Sequence, residues 1–185
     1  NISLKEKYST ELKDFVSVEE AVAKLYVEPI KVVNSKRIAT NTTSRGVSTS
    51  TGITNARYNI GISLIRPISG TITSKYGSRS GVRSGAHTGL DIAAPYGTSI
   101  AAAASGTVVF SGWNGSLGKM IAIDHGNGVQ TYYAHCSSLL VGVGTKVSQG
   151  QIIAKVGSTG NSTGNHLHLE VRVNGKSYNP QYYVY

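Results

Sequence analysis

The chain has 185 residues, of which 39% are hydrophobic and 15% are charged. This length suits one domain with an appendage, and no segment approaches the roughly 20 apolar residues that a membrane-spanning helix needs. Eighteen Lys and Arg residues against nine Asp and Glu residues give a net charge of +9, which indicates an anionic partner such as nucleic acid, phospholipid or a cell-wall polymer.

The first third of the chain contains a short predicted helix. Ser17-Val18-Glu19-Glu20 is a capping box, which predicts a helix from Ala21 to Tyr26 that ends before Pro29. We predict that residues 1–33 are the tail of an upstream module, because they are too few to bury a core alone. The first residue is Asn1, so an anchoring segment upstream of it is left open.

A Ser/Thr-rich segment follows this helix. From Thr40 to Thr54, nine of fifteen residues are Ser or Thr. Such a segment lacks the apolar side chains that would offset its ordering entropy. We therefore predict that residues 34–65 form a linker or an extended arm, and that the folded domain is residues 66–185.

Residues 66–185 contain nineteen of the 22 glycines and all five histidines. Short apolar runs separated by turn residues predict an all-β domain, an antiparallel sheet or sandwich. The predicted strands are Ser99–Ala103, Thr107–Trp113, Lys119–Asp124, Val129–His135, Gln151–Val156 and His166–Val173. Asn-Gly pairs at 114–115, 127–128 and 174–175 favour type I′ hairpin turns.

Only three carboxylates, Asp91, Asp124 and Glu170, occur in this part, so candidate acids and metal ligands are few. His87 and Asp91 are four residues apart, and that spacing places both side chains on one side of a strand or a helical turn. An imidazole and a carboxylate in this arrangement are typical zinc ligands. Alone, the pair is more often a surface hydrogen bond in a turn.

The sequence His166-Leu167-His168-Leu169-Glu170 alternates polar and apolar residues. In a strand, His166, His168 and Glu170 therefore share one face, with the two histidines about 7 Å apart. One of them can bind a metal while the other lies beside it, and the periodicity does not choose between them. Glu170 either orients a ligand imidazole or is an exposed acid on an edge strand.

The other two histidines give weaker signals. His135 ends an aromatic strand and, alone, indicates a partly buried histidine with a satisfied ring. Cys136 follows it on the opposite face, as a small core residue. His125 and Asp124 lie in a hairpin turn, where we expect them to be solvated. The combined pattern indicates three metal ligands with two further histidines able to move protons.

These motifs together resemble those of the lysostaphin/LytM-type zinc metallopeptidases, which cleave peptide cross-links of bacterial peptidoglycan. The matching segments are Gly85–Asp91, Tyr133–His135 and Gly160–His168, and the resemblance runs from about Arg66 to Tyr185. It implies an all-β fold of the LytM type, with Val143–Gly157 similar to the family's hammerhead-like turn. It also implies a site at the floor of a groove that loops surround.

The resemblance implies that one zinc ion is held by His87, Asp91 and His168, and that His135 and His166 are the catalytic pair. We therefore expect a zinc metalloendopeptidase that hydrolyses cross-links or stem peptides of peptidoglycan. Its partners would be peptidoglycan peptides and anionic wall polymers, without specific nucleic-acid binding. We expect it outside the bacterial cell or at the cell wall. The resemblance leaves open which catalytic histidine is the general base.

The alternative is a catalytically silent LytM-like scaffold that activates other wall hydrolases, although such modules usually lose zinc-site residues. Biotinyl and lipoyl carriers share the hammerhead-like turn, but Lys146 and Lys155 are not at the tip of a hairpin. A nucleic-acid binder is disfavoured because Lys75, Arg79 and Arg83 are not interleaved with aromatic residues.

Overall fold

The computed structural model describes residues 57–79 and 85–185. The predicted helix at 21–26 lies outside these residues, as does the predicted arm up to residue 56. Within the described ranges, no helix is long and apolar enough to cross a membrane.

The described residues form eleven strands, all paired in antiparallel fashion. The strands are β1 Thr71–Ser74, β2 Leu90–Ala93, β3 Ser99–Ala101, β4 Gly106–Trp113, β5 Lys119–Asp124, β6 Val129–Ala134, β7 Cys136–Leu139, β8 Lys146–Val147, β9 Ile152–Val156, β10 His166–Val173 and β11 Lys176–Tyr178. A 3-10 turn at Gly115–Leu117 and the one-turn helix α1, Gln181–Val184, are the helical elements among them. The predicted all-β, antiparallel class is confirmed.

Strand β10 has a central position in the larger sheet. The order of this sheet is β1-β2-β10-β6-β5-β4-β8, and β11 pairs with the second half of β10. The inward residues Leu167, Leu169 and Val171 of β10 are fully buried. Because β2 and β6 flank the first half of β10, the polar residues of that strand face neighbours on both sides.

One hydrophobic core joins this sheet to a second sheet of order β3-β9-β7. The larger sheet contributes Leu90, Ile92, Ile121, Ile123, Leu167 and Leu169, and the smaller sheet contributes Ile100, Ile153 and Val156. The alternation of apolar residues along each strand produces this core, because successive side chains point to opposite faces. Cys136 is buried in it, as predicted, and burial raises the pKa of its thiol to about 12.

Two of the three predicted hairpin turns are confirmed. Asn127 and Asn174 have φ values of 52° and 49°, and the glycine after each also has a positive φ. The prediction at Asn114 is wrong, because its φ is −134° and a 3-10 turn follows it. This connection is longer than a two-residue turn because its carbonyls bind elsewhere: Leu117 O accepts the His135 amide, and Ser116 O accepts the Asn161 amide.

Residues 57–65, which the sequence assigns to the arm, include two side chains of the core. Ile60 and Leu64 are each 6% exposed and belong to the main hydrophobic cluster. The Ile65 amide donates to Ala103 O at 2.9 Å. The predicted domain start at Arg66 stays a prediction, and the packing favours a start several residues earlier.

The Leu64→Ala substitution should lower the free energy of unfolding by about 2–5 kcal/mol, because it removes a buried side chain from a packed core. The neighbouring Ile65 is 37% exposed, so Ile65→Ala is the matched control and should cost less than half as much. Urea unfolding of the two variants measures the difference. A small loss in both variants would favour the linker assignment for this segment.

Candidate metal centre

Three short segments bring the candidate ligands together. Asp91 in β2 is the direct cross-strand partner of His168 in β10. Paired residues of neighbouring strands point to the same face, so the carboxylate and the imidazole meet. His87 precedes β2 and is held by two backbone hydrogen bonds, from its amide to Ser78 O and from the Gly77 amide to its carbonyl.

Three atoms converge at this point. Nε2 of His87 lies 3.0 Å from Nδ1 of His168 and 3.0 Å from Oδ1 of Asp91. Nδ1 of His168 lies 2.9 Å from the same oxygen of Asp91. All three residues are buried, with 2–5% exposure. They form a group that could hold a metal ion.

The hydrogen bonds that His87 and His168 make away from the centre determine the tautomer of each ring. Nδ1 of His87 lies 3.0 Å from Lys75 O, and Nε2 of His168 lies 3.1 Å from Oε1 of Glu170. A carbonyl or a carboxylate oxygen only accepts, so these nitrogens carry the ring protons. The inward nitrogens therefore carry lone pairs that face each other and the Asp91 oxygen.

Such a cluster fits a divalent metal ion. Three lone-pair atoms about 3 Å apart repel one another unless a positive charge lies between them. Ligands at 2.0–2.1 Å from a tetrahedral ion such as zinc are about 3.3 Å from each other, close to the separations found. Two imidazoles and one carboxylate are also a donor set that zinc accepts.

The electrostatics of the buried residues also favour a cation. Burial acts to raise the pKa of Asp91, but His168 and His87 outweigh it and hold that pKa well below its usual range. Burial acts to lower the pKa of His168, but Asp91 and Glu170 outweigh it and raise that pKa. The centre therefore stabilises positive charge, either as a proton on His168 or as a bound metal ion.

Two further histidines lie beside the centre. The ring of His135 is 4.7 Å from that of His166 and 5.8 Å from that of His168, measured between centroids. Nε2 of His166 lies 3.7 Å from Oδ1 of Asp91. His166 is thus adjacent to the three-atom cluster but outside it, whereas His168 is part of it. The periodicity of the sequence does not distinguish these two histidines.

His135 and His166 also have defined tautomers. Nδ1 of His135 donates to Thr159 O at 2.7 Å, and Nδ1 of His166 donates to Gly164 O at 2.8 Å. Each Nε2 is therefore the basic nitrogen. Burial lowers the pKa of His135 to about 4, so this ring is neutral near pH 7 and Nε2 carries its lone pair.

A backbone irregularity turns His135 toward the site. The predicted strand Val129–His135 ends one residue early, at Ala134, because His135 has a left-handed φ of 61°. Regular alternation would place residue 135 on the core face with Tyr133. The left-handed conformation costs about 1–2 kcal/mol for a residue with a Cβ and instead directs the imidazole to the face of His166.

Glu170 accepts the hydrogen bond of His168 Nε2, on the side of the ring that faces away from the centre. It is 1% exposed on a central strand, so the alternative of an exposed edge-strand acid is wrong. Besides His168, it accepts hydrogen bonds from Thr88 Oγ1 at 2.5 Å and from Arg172 Nε at 2.6 Å. Burial acts to raise the pKa of Glu170, but His168, Thr88 and Arg172 together lower it to about 2. Arg172 in turn lies over the ring of Tyr132, 4.1 Å from its centroid.

The centre lies in a groove of about 790 Å³. Its lining includes Thr73 and Ser74 on one side, Ser116 and Leu117 of the 3-10 turn, and residues 161–163 of the loop before β10. His87, Asp91, His135, His166 and His168 all contribute to the lining of this groove. This matches the expected site at the floor of a groove.

All five candidate site residues thus lie in one cluster, and their individual roles stay predictions. His125 lies apart from them and differs from its expected solvated state. Its Nδ1 donates to Ser105 O at 2.8 Å, and its Nε2 lies 2.7 Å from Thr131 Oγ1. Burial lowers its pKa.

Sequence reasoning missed two groups that contact the site residues. Arg172 could have been found from its position two residues after Glu170 on the same strand face. Backbone acceptors such as Lys75 O have no sequence signal.

Gly89, between His87 and Asp91, is needed for a close approach. A Cβ at this position would lie 2.5 Å from Leu169 O and 2.7 Å from the His168 ring. The chain between the two ligands therefore packs directly against the third ligand. Any larger residue at position 89 would displace it.

The chain is similar in sequence to proteins of known family. Residues 85–180 match the model of peptidase family M23. DD-carboxypeptidase/endopeptidase Mpg of Neisseria meningitidis is 50% identical over 94 residues, which cover 51% of this chain and 22% of that protein. Murein hydrolase activator EnvC of Escherichia coli is 39% identical over 93 residues, covering 50% of this chain and 22% of that protein. The chain thus aligns with about a fifth of the length of these relatives.

A solved structure is similar over the same region. The catalytic domain of the antimicrobial peptidase lysostaphin from Staphylococcus simulans has a TM-score of 0.57 and 35% sequence identity. The match covers 60% of this chain and 89% of that chain. The fold that the resemblance implies is therefore confirmed.

The Glu170→Gln substitution should weaken divalent-metal binding about 10- to 100-fold, because it removes the charge that holds the His168 ring proton outward. Asp124→Asn is the matched control, because the Asp124 carboxylate accepts a hydrogen bond from the Gly126 amide at 3.0 Å and lies outside the centre. Competition with a metal-sensitive fluorescent chelator measures both affinities. Equal affinities in the two variants would show that Glu170 does not support the ligand.

Proposed function

The chain belongs to peptidase family M23, and on that premise we propose that it is a zinc-dependent endopeptidase acting on the peptides of bacterial peptidoglycan. The observation that carries the proposal is that one groove contains both a cluster of candidate metal ligands and two histidines that can transfer protons. Three inward lone pairs, from His87, Asp91 and His168, fit a metal ion. Two further imidazoles, those of His135 and His166, lie next to them.

When bound, zinc supplies Lewis-acid polarisation of a scissile carbonyl and of a water molecule. His135 and His166 present basic Nε2 atoms to the same space, since each Nδ1 proton is committed to a backbone carbonyl. Together they accept the proton of the attacking water and return a proton to the leaving amine. Oδ1 of Asp91 lies 3.7 Å from His166 Nε2, so this basic nitrogen faces the same space as the three candidate ligand atoms.

Peptidoglycan peptides are the proposed substrate, and the cell wall or cell exterior is the proposed location. The named activities of Mpg and lysostaphin support the reaction class. Residues 66–185 carry nine Lys and Arg against three acids, a charge of +6 from nine minus three, which favours approach to anionic wall polymers. Residues 1–65 carry the remaining +3, from nine minus six.

A second candidate function is activation of other wall hydrolases without turnover. The similarity to murein hydrolase activator EnvC favours it. The retention of both proton-moving histidines and a complete ligand set favours the enzyme, because an activator needs none of these groups. The two functions therefore differ in whether the histidines are required.

Purified full-length chain with zinc should release new amino termini from isolated peptidoglycan, and mass spectrometry of the muropeptides identifies the bond cleaved. His135→Ala should retain one metal ion per chain and lose about 10²- to 10⁴-fold in turnover, because it removes a proton-transfer group. His168→Ala should lose the metal as well as the turnover, because it removes a ligand.

His125→Gln is the matched control, since His125 lies outside the groove lining and should leave both properties unchanged. Full activity in His135→Ala and His168→Ala would contradict the proposed mechanism. Absence of cleavage by the unaltered chain, combined with stimulation of another hydrolase, would support the activator instead.

A further inference from the structure

We propose that Thr159 is a positioning residue for His135, and that its hydroxyl fixes the loop whose backbone sets the tautomer of that imidazole. The inference rests on the proposed peptidase function and adds to it a residue that does not touch the substrate groove. Among the described residues, the groove lining includes His135 and residues 161–163 but not Thr159.

The first step is the contact between Thr159 and the imidazole. The carbonyl oxygen of Thr159 accepts the Nδ1 proton of His135 at 2.7 Å. That bond makes Nε2 the basic atom and orients it into the groove. Because a backbone carbonyl is the acceptor, the direction of the ring depends on where the loop places residue 159.

The second step is the fixation of residue 159 by its own side chain. Thr159 Oγ1 donates to Cys136 O at 2.8 Å and accepts from the Lys119 amide at 3.0 Å. Cys136 directly follows His135, and Lys119 begins β5. One hydroxyl therefore ties the loop to β7 of the smaller sheet, which follows His135, and to β5 of the larger sheet.

The third step is a close contact between the 3-10 turn and the loop that contains Thr159. The amide of His135 donates to Leu117 O at 2.9 Å, and the Asn161 amide donates to Ser116 O at 2.8 Å. A Cβ on Gly118 would overlap the Thr159 carbonyl, and a Cβ on Gly160 would overlap the Gly118 amide nitrogen. The 3-10 turn and the Thr159 loop thus pack without side chains between them.

These contacts stabilise His135 in an unfavourable backbone conformation. His135 has the left-handed φ of 61°, and its neighbours are the last residue of β6 and the first residue of β7. The His166 ring is held by different groups, Gly164 O and Ser162 Oγ. Loss of the Thr159 hydroxyl should therefore disturb His135 and leave His166 and the three ligand atoms in place.

The test compares Thr159→Val with Thr159→Ser in the full-length chain. Valine keeps the branched shape and removes both hydrogen bonds, whereas serine keeps the hydroxyl. Thr159→Val should lower kcat about 10- to 100-fold through misplacement of the imidazole, with KM within about twofold and unchanged metal content. Thr159→Ser should return kcat to within about threefold of the unaltered chain.

Thr98→Val is the matched control. Thr98 Oγ1 donates to Pro95 O at 2.8 Å, the same kind of bond as that of Thr159 to Cys136, in a turn that does not line the groove. This variant should keep both kinetic constants. An equal loss of kcat in Thr98→Val and Thr159→Val, or no rescue by serine, would overturn the proposal.

A second measurement does not depend on turnover. Ring ¹⁵N–¹H spectra of histidine-labelled protein should show His135 as a single Nδ1–H tautomer in the unaltered chain and in Thr159→Ser, and as mixed tautomers in Thr159→Val. Thr159→Ala, a smaller change, should show the same mixture. An unchanged His135 spectrum in both hydroxyl-free variants would overturn the inference.

The two measurements separate this inference from the proposed function. Absence of peptidoglycan cleavage by the unaltered chain would reject the proposed function, and the ring spectra would still decide the role of Thr159. Cleavage that is normal in the unaltered chain and in Thr159→Val would reject the role of Thr159 alone.

Discussion

The repulsion among three buried lone pairs is the constraint on which the site depends. Nε2 of His87, Nδ1 of His168 and Oδ1 of Asp91 lie within 3.0 Å of one another, and each imidazole directs its proton away from the centre. A pair of neutral hydrogen-bonded rings would place a proton between two of these atoms. For neutral rings, the outward bonds to Lys75 O and Glu170 remove that option, so the arrangement needs positive charge, either a second proton on His168 or a cation among the three atoms.

The sheet supplies the rigidity that this arrangement requires. Asp91 and His168 are opposite each other on β2 and β10, so their separation is set by the backbone ladder rather than by a loop. The alternation along β10 buries Leu167 and Leu169 on one face and places His166, His168 and Glu170 on the other. The same packing that holds the core together therefore positions the candidate ligand His168, the carboxylate of Glu170 that is hydrogen-bonded to it, and the neighbouring imidazole of His166.

The sequence predicts the parts of this account that depend on local periodicity. The alternation of β10, the two Asn-Gly turns at 127 and 174, and the buried Cys136 all follow from patterns of two or a few residues. The resemblance to the LytM-type peptidases adds the choice of His168 over His166, which periodicity does not make. In the structure, Asp91 Oδ1 lies 2.9 Å from His168 Nδ1 and 3.7 Å from His166 Nε2, and the assignment of His168 as the ligand stays a prediction.

Other features depend on contacts between distant segments, and the sequence does not reveal them. Strand β2 is only four residues long, and β10, one of its two pairing partners, lies more than seventy residues away, so the sequence leaves Asp91 open to a strand or a helical turn. The left-handed φ of His135 and the 3-10 turn after Asn114 arise from hydrogen bonds to loops elsewhere in the chain. Backbone acceptors are invisible in a sequence because every residue carries a carbonyl group.

Anomalous diffraction at the zinc absorption edge, from crystals of the purified chain grown with zinc, tests the central claim most directly. The account predicts one anomalous peak in contact with His87 Nε2, His168 Nδ1 and Asp91 Oδ1, with His135 and His166 outside the ligand set. Absence of a peak at these three atoms, or a peak held by His135 or His166 in place of one of them, would contradict it.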